Sequence, residues 1–213
     1  MKYKSIEEKH GVLDIEYAKN RNKNFALKYR LKRRTYEVLN SINLYFQNTP
    51  KNIIDLGTAE GKMLNEISKT FPKCNCVGIE YNQELINYGK QQFPNLKFIK
   101  SDVQSLKKIN KDFYDIAIAT AVIEHLENPQ KFINEVKKVL KNNGILIVTA
   151  PDPFWEKVAT KVGHLVDDQH HDVPNLDKLK YYVDVAGLEV KLAQKFMISP
   201  IGFPFEIQIE KVL

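Results

Sequence analysis

An apolar pair, Ile53-Ile54, leads into Asp55-Leu56-Gly57-Thr58-Ala59-Glu60-Gly61. An acidic residue followed by small residues at every second position suits ligand binding where a strand turns into a helix. Small residues let backbone N–H groups approach a ligand, and the helix N-terminus adds partial positive charge. In open α/β sheets the ligand lies beyond the carboxyl ends of the strands. A tight turn needed only for packing is the competing explanation. The spacing discriminates between ligands. A dinucleotide fingerprint requires G-x-G-x-x-G, but Ala59 and Lys62 stand at the second and third glycine positions counted from Gly57. The phosphate-cradling G-x-x-x-x-G-K-[ST] is absent.

Other chemistry-bearing residues follow in order. Glu80 closes a second apolar run, 23 residues after Gly57. A carboxylate there can accept both hydroxyl protons of a ribose. Ser101-Asp102-Val103 follows a third run, with Asp102 also readable as a turn residue or helix cap. Thr120-Ala121-Val122-Ile123-Glu124-His125-Leu126 follows a fourth. General-base candidates are His125, His164, His170 and His171. The last three belong to His164-Leu-Val-Asp167-Asp168-Gln-His170-His171-Asp172, a stretch open to three readings: a polar loop with helix-capping acids, an acceptor-contacting or base-supplying loop, or a metal cluster.

These motifs together resemble the class I S-adenosylmethionine-dependent methyltransferases, over about residues 50–213. The family's acidic-x-Gly-x-Gly-x-Gly loop stands here as Asp55, Gly57, Ala59 and Gly61, with Ala59 a small departure and Thr58 between the glycine positions. The resemblance implies S-adenosylmethionine as cofactor. It implies that Glu80 holds the ribose and that Tyr81 borders the adenine. It further implies that Asp102 meets the adenine amino group, that Val103 packs on the ring, and that Thr120 and Ala121 face the methionine part. Glu124-His125-Leu126 looks like the signature of relatives acting on small molecules. His125 is then either a general base or a residue that holds the loop. Metal-dependent relatives carry Glu-x-x-Glu-His, and here Ala121 stands in the first position, so no metal ligand set is expected.

Elements must position these residues. Leu31, Thr35, Val38, Ile42 and Tyr45 recur on one face of a helix over 24–47, preceded by a loose helix over 1–20. After Pro50 strands and helices alternate. Strands are expected at Asn52–Leu56, Asn75–Ile79, Leu96–Lys100, Tyr114–Thr120 and Ile145–Thr149. Helices are expected from Glu60 to Phe71, from Asn82, from Asn128-Pro129 to Asn143-Gly144, and from Asn175 to Ala186 with Gly187 as stop. Two closing strands, about Leu188–Lys195 and Glu206–Val212, follow without a helix between them and are expected as an antiparallel pair at the edge. The expected fold is α/β: a Rossmann-like, seven-stranded, mostly parallel sheet with one antiparallel edge strand and helices on both faces. The domain organisation is an N-terminal helical extension, 1–48, and a methyltransferase domain, 49–213.

Composition narrows the class. Net charge is +6, yet Tyr17 to Glu37 alone holds eight basic residues and one acid. The excess therefore belongs to one segment. It reads as a solvated surface, as a site for a phosphate-bearing acceptor or a membrane-surface substrate, or as an RNA contact. Two cysteines, Cys74 and Cys76, stand too close for a typical bridge and read as reduced thiols of a cytoplasmic protein. The longest apolar run, Ile116 to Ile123, is far short of the ~20 residues of a membrane helix. The expected function is methyl transfer from S-adenosylmethionine to a small-molecule acceptor, phosphate-bearing or carbohydrate acceptors among them, with O-methylation favoured over N-methylation. The alternatives are an RNA methyltransferase using the basic helix and a non-catalytic cofactor-binding module.

Overall fold

The structure, a computed structural model, describes residues 15–46, 49–154, 173–197 and 204–212. It opens with α1 (Ile15–Lys23) and α2 (Phe25–Tyr45), separated by Asn24 alone. The Asn24 N–H donates to the Asn20 carbonyl at 2.9 Å and the Lys28 N–H to the Asn24 carbonyl at 3.0 Å, so helical bonding continues across the junction. The periodic face of α2 is the buried one: Thr35, Val38 and Ile42 are buried, and Leu31 and Tyr45 are half-buried.

Then follow β1 (Asn52–Leu56), α3 (Lys62–Thr70), β2 (Asn75–Glu80), α4 (Gln83–Gln92), β3 (Lys97–Lys100) and β4 (Tyr114–Thr120). A 3-10 turn at Ile123–His125 precedes α5 (Pro129–Val139), β5 (Leu140–Pro151), α6 (Leu176–Val185), β6 (Glu189–Met197) and β7 (Pro204–Val212). Three helices start on asparagine caps, as their sequences predict. The side chains of Asn82, Asn128 and Asn175 accept from the N–H groups of Glu84, Lys131 and Lys178 at 2.8, 2.9 and 2.9 Å. Each such cap is worth about 1 kcal/mol.

The strand order is β3-β2-β1-β4-β5-β7-β6. The five strands from β3 to β5 pair in parallel, and β7 pairs antiparallel with both β5 and β6. The two closing strands form the expected antiparallel pair at the end of the sheet, but the strand that runs against the parallel set is not the edge strand itself. The edge is β6, and the antiparallel strand lies one position in. The crossover through α6 lays β6 down in the direction of β5 with a gap between them; the chain returns through that gap and satisfies both sets of backbone groups.

A second correction concerns α5. It stops at Val139, not at Asn143-Gly144, and β5 already begins at Leu140. Asn143 takes φ 64° inside the strand, where the register with β4 shifts between Tyr114 and Ile116. The Asn-Gly pair marks a strand irregularity there, a use of left-handed backbone that resembles a helix stop in sequence.

Strand side chains alternate between two cores. Ile54, Leu56, Ala117, Ala119, Leu146 and Val148 face Phe132 and Val136 of α5 and Leu179 and Val183 of α6. Ile53, Ile116, Ile118, Ile145 and Ile147 face Val38 and Ile42 of α2 and Leu64 and Ile67 of α3. With both faces covered, the carboxyl ends of β1, β2 and β4 are brought side by side.

Candidate functional site

At the carboxyl end of β1 the backbone turns through three left-handed residues: Gly57 at φ 75°, Ala59 at 52° and Gly61 at 82°. Glycine reaches this region freely, whereas a residue with a Cβ is strained there. Space is also short. A Cβ on Gly57 would lie 2.5 Å from Cγ2 of Val122, and one on Gly61 would lie 2.7 Å from Cζ of Phe98. The turn is fastened by backbone bonds. The N–H groups of Gly57 and Thr58 both donate to the Ile79 carbonyl, at 2.9 and 3.0 Å.

Asp55 is buried under this turn and accepts from the Thr58 hydroxyl at 2.6 Å. Burial pushes its carboxyl up to about 6; the Thr58 hydrogen bond works against this, and the nearby Glu80 charge adds to it. Glu80, at the end of β2, is buried too. Its Oε2 accepts from the Ala59 N–H at 2.9 Å, and its Oε1 accepts from the N–H groups of Tyr81 and Asn82 at 2.8 and 2.9 Å. Burial raises its pKa above the usual glutamate value, and the three backbone donors oppose the rise.

β3 and β4 complete the row. Asp102 Oδ1 accepts from the Gln104 N–H at 2.8 Å, which fixes the turn after β3, and Val103 is buried beneath it. Tyr81 is 39% exposed, with its ring at the surface beside Glu80. Thr120 lies against Met63 of α3, its hydroxyl donating to the sulfur at 3.9 Å. Ala121 takes φ 53° and its N–H donates to the Thr149 carbonyl at 2.9 Å, so the chain bends sharply after β4. His125 is half-buried at the end of the 3-10 turn, with its N–H on the Val122 carbonyl at 3.0 Å. His164, His170, His171 and the acids Asp167, Asp168 and Asp172 lie outside the described residues. Among the described residues, no group of three or more His, Cys, Asp or Glu side chains is placed to hold a metal ion.

The sequence reading missed three features. Glu80 is a structural clamp as well as a carboxylate at a strand end; its contacts to Ala59, Tyr81 and Asn82 join two loops. Glu60 is fully buried and paired with Arg21 of α1. A charged residue inside a run of small ones was the signal for it. Asp152, just beyond β5, is also buried; it accepts from the Phe154 N–H at 2.9 Å and pairs with Lys195 of β6 at 2.7 Å. No short motif joins residues so far apart in the chain.

The arrangement fits an adenosyl ligand. Glu80 stands beside the turn at the neighbouring strand end, and of a carboxylate's about four acceptor sites backbone donors take three there, which leaves one for a single ribose hydroxyl; the crowding at Gly57 comes from Val122 and is a packing requirement.

Residues 47–190 match the family model for the methyltransferase domain. The chain belongs to this family. The methyltransferase domain is 25% identical over 158 residues to malonyl-[acyl-carrier protein] O-methyltransferase from Halalkalibacterium halodurans, covering 68% of this chain and 58% of that relative. It is 30% identical over 112 residues to ubiquinone/menaquinone biosynthesis C-methyltransferase from Campylobacter jejuni, covering 50% of this chain and 47% of the relative. The chain therefore spans only about half the length of the curated relatives it matches. Among solved structures, a plantazolicin methyltransferase in complex with SAH superposes with a TM-score of 0.71 at 17% identity, covering 92% of this chain and 88% of that one. That likeness shows the fold alone, a Rossmann-like α/β sheet. No helix among the described residues is long and apolar enough to cross a membrane.

Proposed function

We propose that this chain transfers a methyl group from S-adenosylmethionine to a small-molecule acceptor, at oxygen in preference to nitrogen. The observation that carries the reading is the Gly57–Gly61 turn held against Glu80 at the adjoining ends of β1 and β2. The cofactor supplies a methyl group already activated on a sulfonium. The residues of this chain bind, orient and exclude water. In this reading Asp55, Gly57, Thr58, Ala59 and Gly61 form the floor, Glu80 takes the ribose, Tyr81, Asp102 and Val103 border the adenine, and Thr120 and Ala121 border the methionyl chain. Holding nucleophile, methyl and sulfur in line can supply roughly 7–11 kcal/mol. Where the acceptor carries a proton, His125, His170 or His171 is its base, worth about 10²–10⁴-fold.

The acceptor class rests on two supports. Relatives whose names state an acceptor or pathway include malonyl-[acyl-carrier protein] and ubiquinone-biosynthesis O-methyltransferases. The basic segment, the feature that favoured RNA, spends part of its charge internally: Arg21 pairs with Glu60, and Arg33 with Glu37. The catalytic unit in this reading is residues 49–213, and it works in the cytoplasm. The test is transfer of labelled methyl from S-adenosylmethionine to pools of organic acids, phenols, phosphorylated metabolites and sugars, with RNA as a separate arm. Label in a small-molecule pool supports the reading. Label in RNA alone replaces the acceptor, and binding without turnover in any pool favours a non-catalytic module.

A further inference from the structure

α1 lies across the glycine loop on few contacts. Ala18 forms a small buried cluster with Ala59 of the loop and Leu85 of α4. Two alanines and a leucine bury little apolar area, so this patch holds a nine-residue helix weakly. The second contact is electrostatic. The Arg21 guanidinium pairs with Oε2 of Glu60, a carboxylate with no solvent exposure, between Ala59 and the left-handed Gly61. Oε1 of Glu60 is buried and has no hydrogen-bond partner among the described residues. Removing one member of a buried ion pair leaves the other charge uncompensated, which costs more than an exposed pair ever contributes. Lifting α1 breaks this pair and returns Glu60 to water, with Lys62 the remaining cation that acts on it, so the pair adds to the small apolar patch in holding α1 on the loop.

We propose that the Arg21–Glu60 pair is a latch that closes α1 over the glycine loop and slows release of the adenosyl cofactor. Glu60 is then a positioning residue of the site, acting through Arg21 and α1. The inference rests on the cofactor reading given above. Coupling of this kind is reciprocal: a ligand that orders Ala59–Gly61 also holds α1 down.

The experiment measures release of labelled S-adenosylmethionine after a chase with excess unlabelled S-adenosylhomocysteine, in the full chain. Arg21→Ala and Glu60→Gln are each expected to speed release by about tenfold or more, with association little changed, as is usual when affinity shifts within one site. The double variant is expected to release no faster than the faster single, because the two side chains act as one unit. In wild type, S-adenosylhomocysteine is expected to slow amide exchange across residues 15–23, and Arg21→Ala to abolish that protection. Arg21→Ala leaves the buried Glu60 carboxylate without its partner, whereas Glu60→Gln removes that charge, so the Glu60 variant and the double variant keep the test open if Arg21→Ala does not fold. Unchanged release in the Arg21 variant, or independent effects in the double, overturns the latch while leaving the cofactor reading intact. A wild-type chain that binds neither ligand overturns the cofactor reading, and the latch with it.

Discussion

Oε2 of Glu80 accepts the Ala59 N–H at 2.9 Å, so the carboxylate closing β2 holds the turn that closes β1. Its other oxygen caps the start of the next loop through Tyr81 and Asn82. One side chain thus shapes the site and offers a ligand an acceptor. Glu80→Ala should weaken binding of S-adenosylhomocysteine by about 1–3 kcal/mol, the scale of a lost charged partner. The same change should lower the melting temperature of the ligand-free protein, because three backbone donors lose their acceptor. Calorimetry and thermal melts on the same samples check both halves. A variant that loses binding with no loss of stability would refute the clamp.

Gly57 is limited by two separate effects, and they can be separated. Gly57→Ala should destabilise the fold and impair ligand binding, since its Cβ meets Val122 at 2.5 Å and its φ is 75°. Adding Val122→Ala relieves the collision and leaves the backbone strain, about 1–2 kcal/mol. Partial recovery of the melting temperature in the double variant is expected. Full recovery would show that the left-handed backbone costs nothing there, and no recovery would show that Val122 is not the obstacle.

Asp55 sets a pH dependence. Burial pushes its pKa up to about 6 in the fold against 3.8 for a free aspartate, so the native state holds the proton to higher pH than the unfolded chain. Its contribution to stability is complete below pH 3.8 and is lost as pH rises through about 6, with a total near 3 kcal/mol at 1.36 kcal/mol per pH unit. Asp55→Asn should therefore stabilise the ligand-free protein at pH 7 and show little difference near pH 4. Denaturant midpoints across this window check the sign. A variant less stable than wild type at pH 7 would contradict it.

Much of this was legible in the sequence, for identifiable reasons. The floor of the site is local: Asp55 to Gly61 lie within seven residues, and the requirement for small residues at a tight turn is written in their types. The asparagine caps are equally local. Ala59 is a small departure from the glycine pattern, and the structure gives its cost, a left-handed backbone at φ 52° on a non-glycine residue. The position of β7 was not legible, because an antiparallel strand satisfies its hydrogen bonds equally well at an edge or in a gap, and only the crossover through α6 decides. The Arg21–Glu60 and Asp152–Lys195 pairs join residues 39 and 43 apart, beyond the reach of any spacing rule.

Methyl transfer should survive removal of divalent metal. The residue after β4 at the first position of the Glu-x-x-Glu-His pattern is Ala121, whose methyl group offers no lone pair, and a hard cation needs several oxygen ligands. Once an acceptor is found, the rate after exhaustive EDTA treatment should equal the untreated rate. Activity lost to chelator and restored by Mg²⁺, Mn²⁺ or Zn²⁺ would contradict this and point to the histidine-rich stretch around His170 and His171.

The central claim is that the turn at Gly57–Gly61, clamped by Glu80, binds the adenosyl cofactor and not a dinucleotide. Isothermal titration of the purified chain tests it most directly. Saturable one-to-one heat is predicted with both S-adenosylmethionine and S-adenosylhomocysteine, with none from NAD and with the sulfur ligands weakened in Glu80→Ala. Absence of heat with both sulfur ligands, or binding of NAD in their place, would contradict the account.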